Sequence, residues 1–250
     1  MTLQNLVLIP KMELYMTDKL TIAIAVKGKS DYLDNCLKSI KVNTKIDHEV
    51  FVVNTDGKDL SLAQAWNKGL DSGDGDYCCV LNDDTLLSED ALDNLLMGLK
   101  EHEDWGIVAP SLSHCVNEQK APFLDVINNE RVMDNEIEIE VYNIAYVIHQ
   151  KYAGQFKDMN YTINGCCMIF SREDYEAVGE FDPDYYPCCY EECDFADKIN
   201  VLLKKKSIWM KDVYVHHFGG KTREKRDDID LIYLDNLFRR KMKARRRWHN

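Results

Sequence analysis

The sequence predicts an α/β fold: a doubly wound, mostly parallel central sheet with helices on both faces. Three observations predict it. Short β-branched runs alternate with amphipathic helical periods from residue 20 onward. Those runs are dominated by apolar residues, as strands covered on both faces are. With 250 residues, 45% of them apolar, and 4 Trp, 13 Tyr and 8 Phe, the chain can bury one large core.

The elements follow in order. Residues 20–26, LTIAIAV, form the first strand, bounded by Lys27-Gly28-Lys29-Ser30. Ser30 offers an N-cap to a helix whose Leu33, Cys36, Leu37 and Ile40 share one face. EVFVV (49–53) is the second strand, closed by the turn Asn54-Thr55-Asp56-Gly57. Ser61 and Gln64 make a capping box for a helix through about Leu70. DYCCVL (76–81) is the third buried strand and stops at Asn82-Asp83-Asp84; Ser88 then caps a helix with Leu92, Leu95, Leu96 and Leu99 inward. Residues 111–160 have weak periodicity and read as a long excursion with an edge strand or two. YTINGCCMIF (161–170) is a strand interrupted by Gly165, followed by a helix from Ser171 to Val178 closed by Gly179. After the aromatic loop FDPDYYPCCY, a helix runs from Glu191 to about Lys205. The last strand lies within 207–220, and a helix from Asp235 to Trp248 ends the chain.

Composition excludes several classes. Gly and Pro are scarce, at 12 and 5, so no low-complexity linker is present. No apolar run approaches the roughly 18 residues of a membrane span, and the opening MTLQNLVLIPKMELYMTDK lacks a signal peptide's basic region. The nine cysteines are odd in number, include three doublets and contain no CxxC pair, which argues against a zinc site or a disulfide framework and for a reducing, cytoplasmic setting. The net charge is −12, against a general nucleic-acid binder. Residues Arg239 to Arg247 hold seven of the 31 basic residues, however; the remaining 24 face all 43 acidic ones, a net of −19.

Three polar groups could carry chemistry. Asn82-Asp83-Asp84 follows a buried strand, where oxygen ligands can hold Mg²⁺ or Mn²⁺ against a diphosphate; the ordinary reading is an Asx-turn. Glu191-Glu192, with Asp194 beyond, opens a helix, where carboxylates also simply favour the macrodipole. His216-His217 precedes Gly219-Gly220, and strand alternation lets at most one of the two enter a given site.

Taken in order, these groups resemble a known family. AWNKG (65–69), GDYCCVLNDDT (75–85), SEDAL (88–92), NGCCMIFSREDYEAVGEFD (164–182), EECD (191–194) and HHFGGKT (216–222) resemble family 2 glycosyltransferases, closest to the rhamnosyltransferase-like branch. The resemblance spans about residues 20–222. It implies a GT-A, Rossmann-like fold with a smaller acceptor-side subregion: an N-terminal extension (1–19), a nucleotide-sugar half (20–110), an acceptor half of the same domain (111–222) and a basic helical tail (223–250). It implies an inverting, hexosyl- or deoxyhexosyl-type transferase using Mn²⁺ or Mg²⁺ and a UDP, dTDP or GDP sugar. Asp84 is then the metal ligand of a DXD-like motif, joined by His217, five residues before Thr222, with His216 in reserve. Val26, Asn54, Asp56, Asn67, Asn82, Asp83 and Gly165 line the nucleotide sugar, and Glu192 is the base beside Glu191. The sequence departs from the family in Lys27-Gly28-Lys29 for Tyr-Asn, in Asn54 for Asp, and in Glu192 for Asp.

The acceptor implied is a glycan or lipid-linked saccharide. Alternatives are a glycosyltransferase acting on modified bases of DNA, a nucleotidyltransferase, and a GT-A-fold binding protein without catalysis. Residues 239–247 serve either packing or contact with an anionic partner, at a membrane surface or on nucleic acid, and the protein is expected in the cytoplasm or peripheral to a membrane.

Overall fold

The computed structural model describes residues 18–121, 135–219 and 229–249. The expectations for 1–17, Gly220 and Thr222, and the start of the tail at 223–228, lie outside the described residues. The chain runs β1 (Lys19–Val26), α1 (Leu33–Asn43), β2 (Asp47–Asn54), α2 (Leu62–Leu70), β3 (Tyr77–Asn82), β4 (Thr85–Leu87), α3 (Ala91–Glu101) and β5 (Trp105–Leu112). It continues through α4 (Asn135–Tyr152), β6 (Phe156–Asp158), β7 (Cys167–Ser171), α5 (Arg172–Val178), α6 (Glu191–Lys198), β8 (Lys206–His217) and α7 (Leu231–His249).

The strands make one sheet in the order β2-β1-β3-β7-β5-β8-β4, with β6 on β8. Its three longest ladders, β1–β2, β5–β8 and β1–β3, are parallel. β7 runs antiparallel between β3 and β5, so β5 and β8 point the same way as β1, β2 and β3. That arrangement brings the carboxyl ends of β1, β2, β3 and β8 to one edge, the edge at which α/β sheets bind ligands. The two sequence halves therefore share a sheet. Leu20, Ile22, Ile24, Cys79, Leu81 and Ile169 form the core with α1 and α3 on one face; Ala23, Val80, Met168 and Phe170 pack on Trp66, Phe181 and Phe195 on the other.

Local expectations meet corrections here. The Ser61–Gln64 capping box is present, and Ser171 and Gly179 bound α5 as expected. Ser30 is not the cap of α1: Tyr32 is, and the Ser30 hydroxyl accepts from the Tyr32 N–H. Ser88 does not cap α3, because its hydroxyl donates to the Tyr214 carbonyl and Asp90, in the left-handed region, takes the position. The excursion after residue 111 contains the 18-residue helix α4, whose Val141, Ile144, Ala145 and Ile148 pack beside Tyr214. β7 begins only at Cys167, so Gly165 lies in the turn before the strand. The helix from Glu191 ends at Lys198, continues as a π turn over Ile199–Leu203, and stops at left-handed Lys204.

Candidate active site

The sheet edge assembles the polar groups at the ends of the strands. Asn54 pairs in register with Val26, and Asn82 with Ala25, so the ends of β2, β1 and β3 lie side by side. His217 closes β8 in register with Thr85. Its backbone is fixed by Ser113, whose hydroxyl accepts from the His217 N–H at 2.7 Å and donates to its carbonyl at 2.8 Å.

Asp84 and His217 meet there, with Oδ1 3.2 Å from Nε2, and both are buried. The His217 Nδ1 lies 2.8 Å from the His114 carbonyl, which can only accept, so Nδ1 carries a proton; facing a carboxylate oxygen, Nε2 carries one too and donates to Asp84, a proton it would give up to a bound metal. The Asn82 amide lies 3.3 Å from the same nitrogen. Burial pushes Asp84 upward, but its bonds to His217 and to the Gly219 N–H hold its pKa below the usual carboxylate value. Burial works against protonation of His217, yet Cys166 and Asp84 raise it well above an ordinary imidazole. Asp83, beside them, is raised by burial despite a bond from Ser30.

His216 takes the other side of β8. Its Nδ1 is 3.1 Å from the Tyr214 hydroxyl, its ring meets Phe218 edge-on at 4.5 Å, and burial lowers its pKa to about 4. It belongs to the packing beneath α4. His216, the reserve metal ligand of the sequence reading, lies with Tyr214 and Phe218 on the face of β8 opposite His217.

The polar groups that meet at this edge are one carboxylate, Asp84, and one imidazole, His217. A carboxylate and an oriented imidazole suit Mn²⁺ better than Mg²⁺, which prefers oxygen. Among the described residues no group of three or more His, Cys, Asp or Glu side chains converges.

The acidic pair stands across one turn. The Asn82 N–H donates to the Cys166 carbonyl at 2.9 Å, which ties the end of β3 to the turn before β7. Gly165, the preceding residue, has no room for a side chain. An added Cβ there would lie 2.9 Å from the Glu192 Cβ and 3.1 Å from the Trp66 ring. Residues 165 and 166 thus touch both candidate centres, Cys166 at His217 and Gly165 at Glu192. Glu191 is buried and its Oε2 has no hydrogen-bond partner, and Glu192 is half-buried with its own Oε2 enclosed. Burial, reinforced by the charge of Glu192, raises Glu191 well above the usual carboxylate value.

A group with a raised folded pKa stabilises the fold below its unfolded value and loses that contribution as pH rises through the folded one. Glu191→Gln should therefore melt like the parent near pH 4.5 and gain about 0.5–2 kcal/mol over it at neutral pH, since active-site carboxylates trade stability for function. Thermal melts of both proteins between about pH 5 and 8 check this; a constant difference across the range would contradict it.

Two expected nucleotide contacts have other uses. The Asn67 amide donates to the Phe181 carbonyl at 2.7 Å, and its oxygen accepts from the Phe181 N–H at 3.0 Å. It clamps α2 to the loop before α6, and its polar atoms are taken up inside the protein. Asn54 does the same for the loop after β1, accepting from the Gly28 N–H at 3.1 Å and donating to its carbonyl at 3.3 Å. An Asp could not donate to that carbonyl, which accounts for Asn at 54 beside Gly28, itself at φ 71°. Val26 is buried under this edge, and Asp56 is exposed on it.

The basic tail turns largely inward. Leu234, Leu237 and Phe238 of α7 pack against Tyr185. Arg245 bridges Asp194, at 2.9 Å, and Asp197, while Arg246 reaches Asp197 at 2.8 Å; both aspartates are fully buried on α6, one turn and two turns after Glu191. Lys241 holds Asp182 and, at 2.7 Å, Asp184 in the aromatic loop. Arg245→Ala leaves Asp194 buried with its charge short of a partner, so unfolding in urea should reveal a loss of about 3–5 kcal/mol, with Arg245→Lys recovering part. A loss under about 1 kcal/mol would mean that α7 is held by its apolar stripe alone.

Sequence reasoning missed His114, Ser113, Gly219, Ser30 and Cys166. Gly219 has a φ of +68° and lies against the His114 ring, leaving only glycine admissible. His114 and Ser113 act here through a main-chain carbonyl and a bond across the sheet, for which a sequence carries no signal.

Comparison with known proteins gives the fold a name. No family model matches the sequence, and no curated protein matches it. Among solved structures, the chain is similar to a mannosyltransferase from Pyrobaculum calidifontis in complex with GDP-Man and Mn²⁺, at 18% identity and a TM-score of 0.57. That match covers 82% of this chain but 58% of the other, so the chain spans little more than half the length of that enzyme. It is also similar to the catalytic domain of Drosophila β1,4-galactosyltransferase 7 in complex with xylobiose, at 14% identity and a TM-score of 0.53, covering 89% and 79%. The chain therefore has the mixed α/β fold of the GT-A glycosyltransferases.

Proposed function

We propose that the protein is an inverting glycosyltransferase that moves a sugar from a nucleoside-diphosphate donor to an acceptor hydroxyl. One observation carries the reading. A single turn, Gly165-Cys166, lies between a carboxylate–imidazole pair at a sheet edge and the acidic pair Glu191-Glu192 at the start of α6. The mannosyltransferase neighbour, crystallised with a nucleotide sugar and Mn²⁺, supports the donor class. Asp84 and His217 would hold Mn²⁺ or Mg²⁺. The ion supplies a positive charge that offsets the charge gathering on the departing diphosphate. Glu192, half-buried at the turn, takes the proton of the acceptor hydroxyl as that oxygen bonds to the anomeric carbon. The bond from that carbon to the diphosphate oxygen breaks on the opposite face, so one displacement inverts the configuration. Asp83 and Asn82 lie toward the donor's ribose or sugar, and Val26, Asn54 and Asp56 form the nucleotide end. Asn67 supports the loop before α6.

A thermal-shift screen of UDP-, GDP-, dTDP- and CMP-sugars with and without Mn²⁺, followed by assay of released nucleotide, tests the reading. Expected is a metal-dependent stabilisation by one nucleotide class and slow hydrolysis of its sugar. Stabilisation with no sugar release under any acceptor would favour a binding protein, and release of pyrophosphate would favour a nucleotidyltransferase.

A further inference from the structure

With Lys241, Arg245 and Arg246 facing inward and Arg239 paired to Asp235 on its own helix at 2.6 Å, three cations of α7 remain. Arg240, Lys243 and Arg247 are exposed, and none has an ion-pair partner among the described residues. Their spacing of three and then four residues sets them in one stripe along the helix. Exposed apolar side chains stand near both ends of the helix, flanking that stripe on its two sides. Ile232, two turns before Arg240, is 78% exposed with Tyr233 beside it, and Trp248, next to Arg247, is 82% exposed. The opposite face is occupied by the body of the protein through Leu234, Leu237 and Phe238. Helix folding therefore accounts for the inner face and leaves the outer one without a structural use.

We infer that this outer face of α7 docks on an anionic lipid surface. The cationic stripe runs about 10 Å along the helix over residues 240–247. Its combination of cations with a terminal indole and an aliphatic end suits the headgroup boundary, where the charges meet acidic lipids and the apolar ends leave water. Extended nucleic acid would satisfy the cations alone and would bring its phosphates against a chain that carries −19 outside residues 239–247. A bilayer is flat, and the acidic body can face away from it. Because α7 packs on α6, docking would hold the Glu191–Glu192 end close to the membrane. The further step, that the acceptor hydroxyl is carried on a lipid, rests on the glycosyl-transfer reading.

The test is co-sedimentation of the full chain, without donor, with phosphatidylcholine vesicles and with vesicles containing phosphatidylserine, between about 50 and 200 mM salt. Expected are binding to the acidic vesicles alone, weakening with salt, and a blue shift of Trp248 emission, the other Trp residues being buried. Each Lys or Arg near the surface contributes about fivefold, so the triple variant Arg240→Glu, Lys243→Glu, Arg247→Glu should lose at least about a hundredfold in partitioning. Its melting temperature and donor hydrolysis should match the parent, since the three side chains touch neither the core nor the site. Trp248→Phe should bind but lose the emission shift. Equal binding to neutral vesicles, no binding to either, or a gel shift of duplex DNA without vesicle binding would each overturn the inference. Vesicle binding by a chain that releases no sugar would leave the surface standing and sink the glycosyl-transfer reading instead.

Discussion

Glu192→Gln is expected to lower kcat by about 10²–10⁴ while leaving donor affinity nearly unchanged. The amide keeps the shape that fits against Gly165, where an added Cβ already falls 2.9 Å from the Glu192 Cβ, and removes only the ability to take a proton. Released nucleotide measured at saturating donor gives kcat, and donor titration in a thermal-shift assay gives binding. Glu191→Gln should cost less, because Glu191 is the more deeply buried of the two. If Glu191→Gln proved the more damaging, the base would be the buried residue. If both effects were mild, the pair would be no more than acidic residues favouring the start of a helix.

Asp84→Asn should abolish the Mn²⁺-dependent part of donor binding. At a hundredfold excess of donor over its Kd the parent gains about 2.7 kcal/mol, and the variant should gain none of it. Asn keeps the volume and retains an oxygen for the Gly219 N–H, so far-UV circular dichroism should match the parent. Its neutral oxygen is a far weaker ligand for a hard cation than a carboxylate. The same loss should follow from removing the metal with a chelator, and the parent should recover on adding Mn²⁺ back. A variant that still binds donor in a Mn²⁺-dependent manner would remove Asp84 from the metal site and leave its bond to His217 as a packing contact.

The strands, most of the helices and the order of the chemistry-bearing motifs were legible because they rest on local regularities. β1, β2 and β3 show as uninterrupted apolar runs, α3 shows as four leucines at helical spacing, and Ser61–Gln64 announces α2 within four residues. Asp84, His217, Gly165 and Glu192 were named from the resemblance of the ordered motifs to family 2 glycosyltransferases, and all four lie at or within two residues of an element's end. α4 was not legible. Alternation at Ile139 and Val141 imitates a strand, and the exposed Ile139, Tyr146 and Val147 blur the helical stripe that packs beside Tyr214.

What the sequence by itself determined, then, was the class of fold and the set of polar groups at the strand ends, because periodicity and turn chemistry act over a few residues. What only the tertiary structure decided was the use of each group. The choice of His217 over His216 depends on which face of β8 meets Asp84, fixed by register with β4 and by an irregularity between Pro110 and Ser111 on β5. The inward turn of Asn67 depends on Phe181, 114 residues away, and that of Arg245 on Asp194, 51 residues away. Alternation tells that two adjacent residues point apart, and composition tells that seven cations lie in one segment. Which of them meets a partner is settled when distant elements pack, because a buried polar group must find its counter-group wherever the fold brings one.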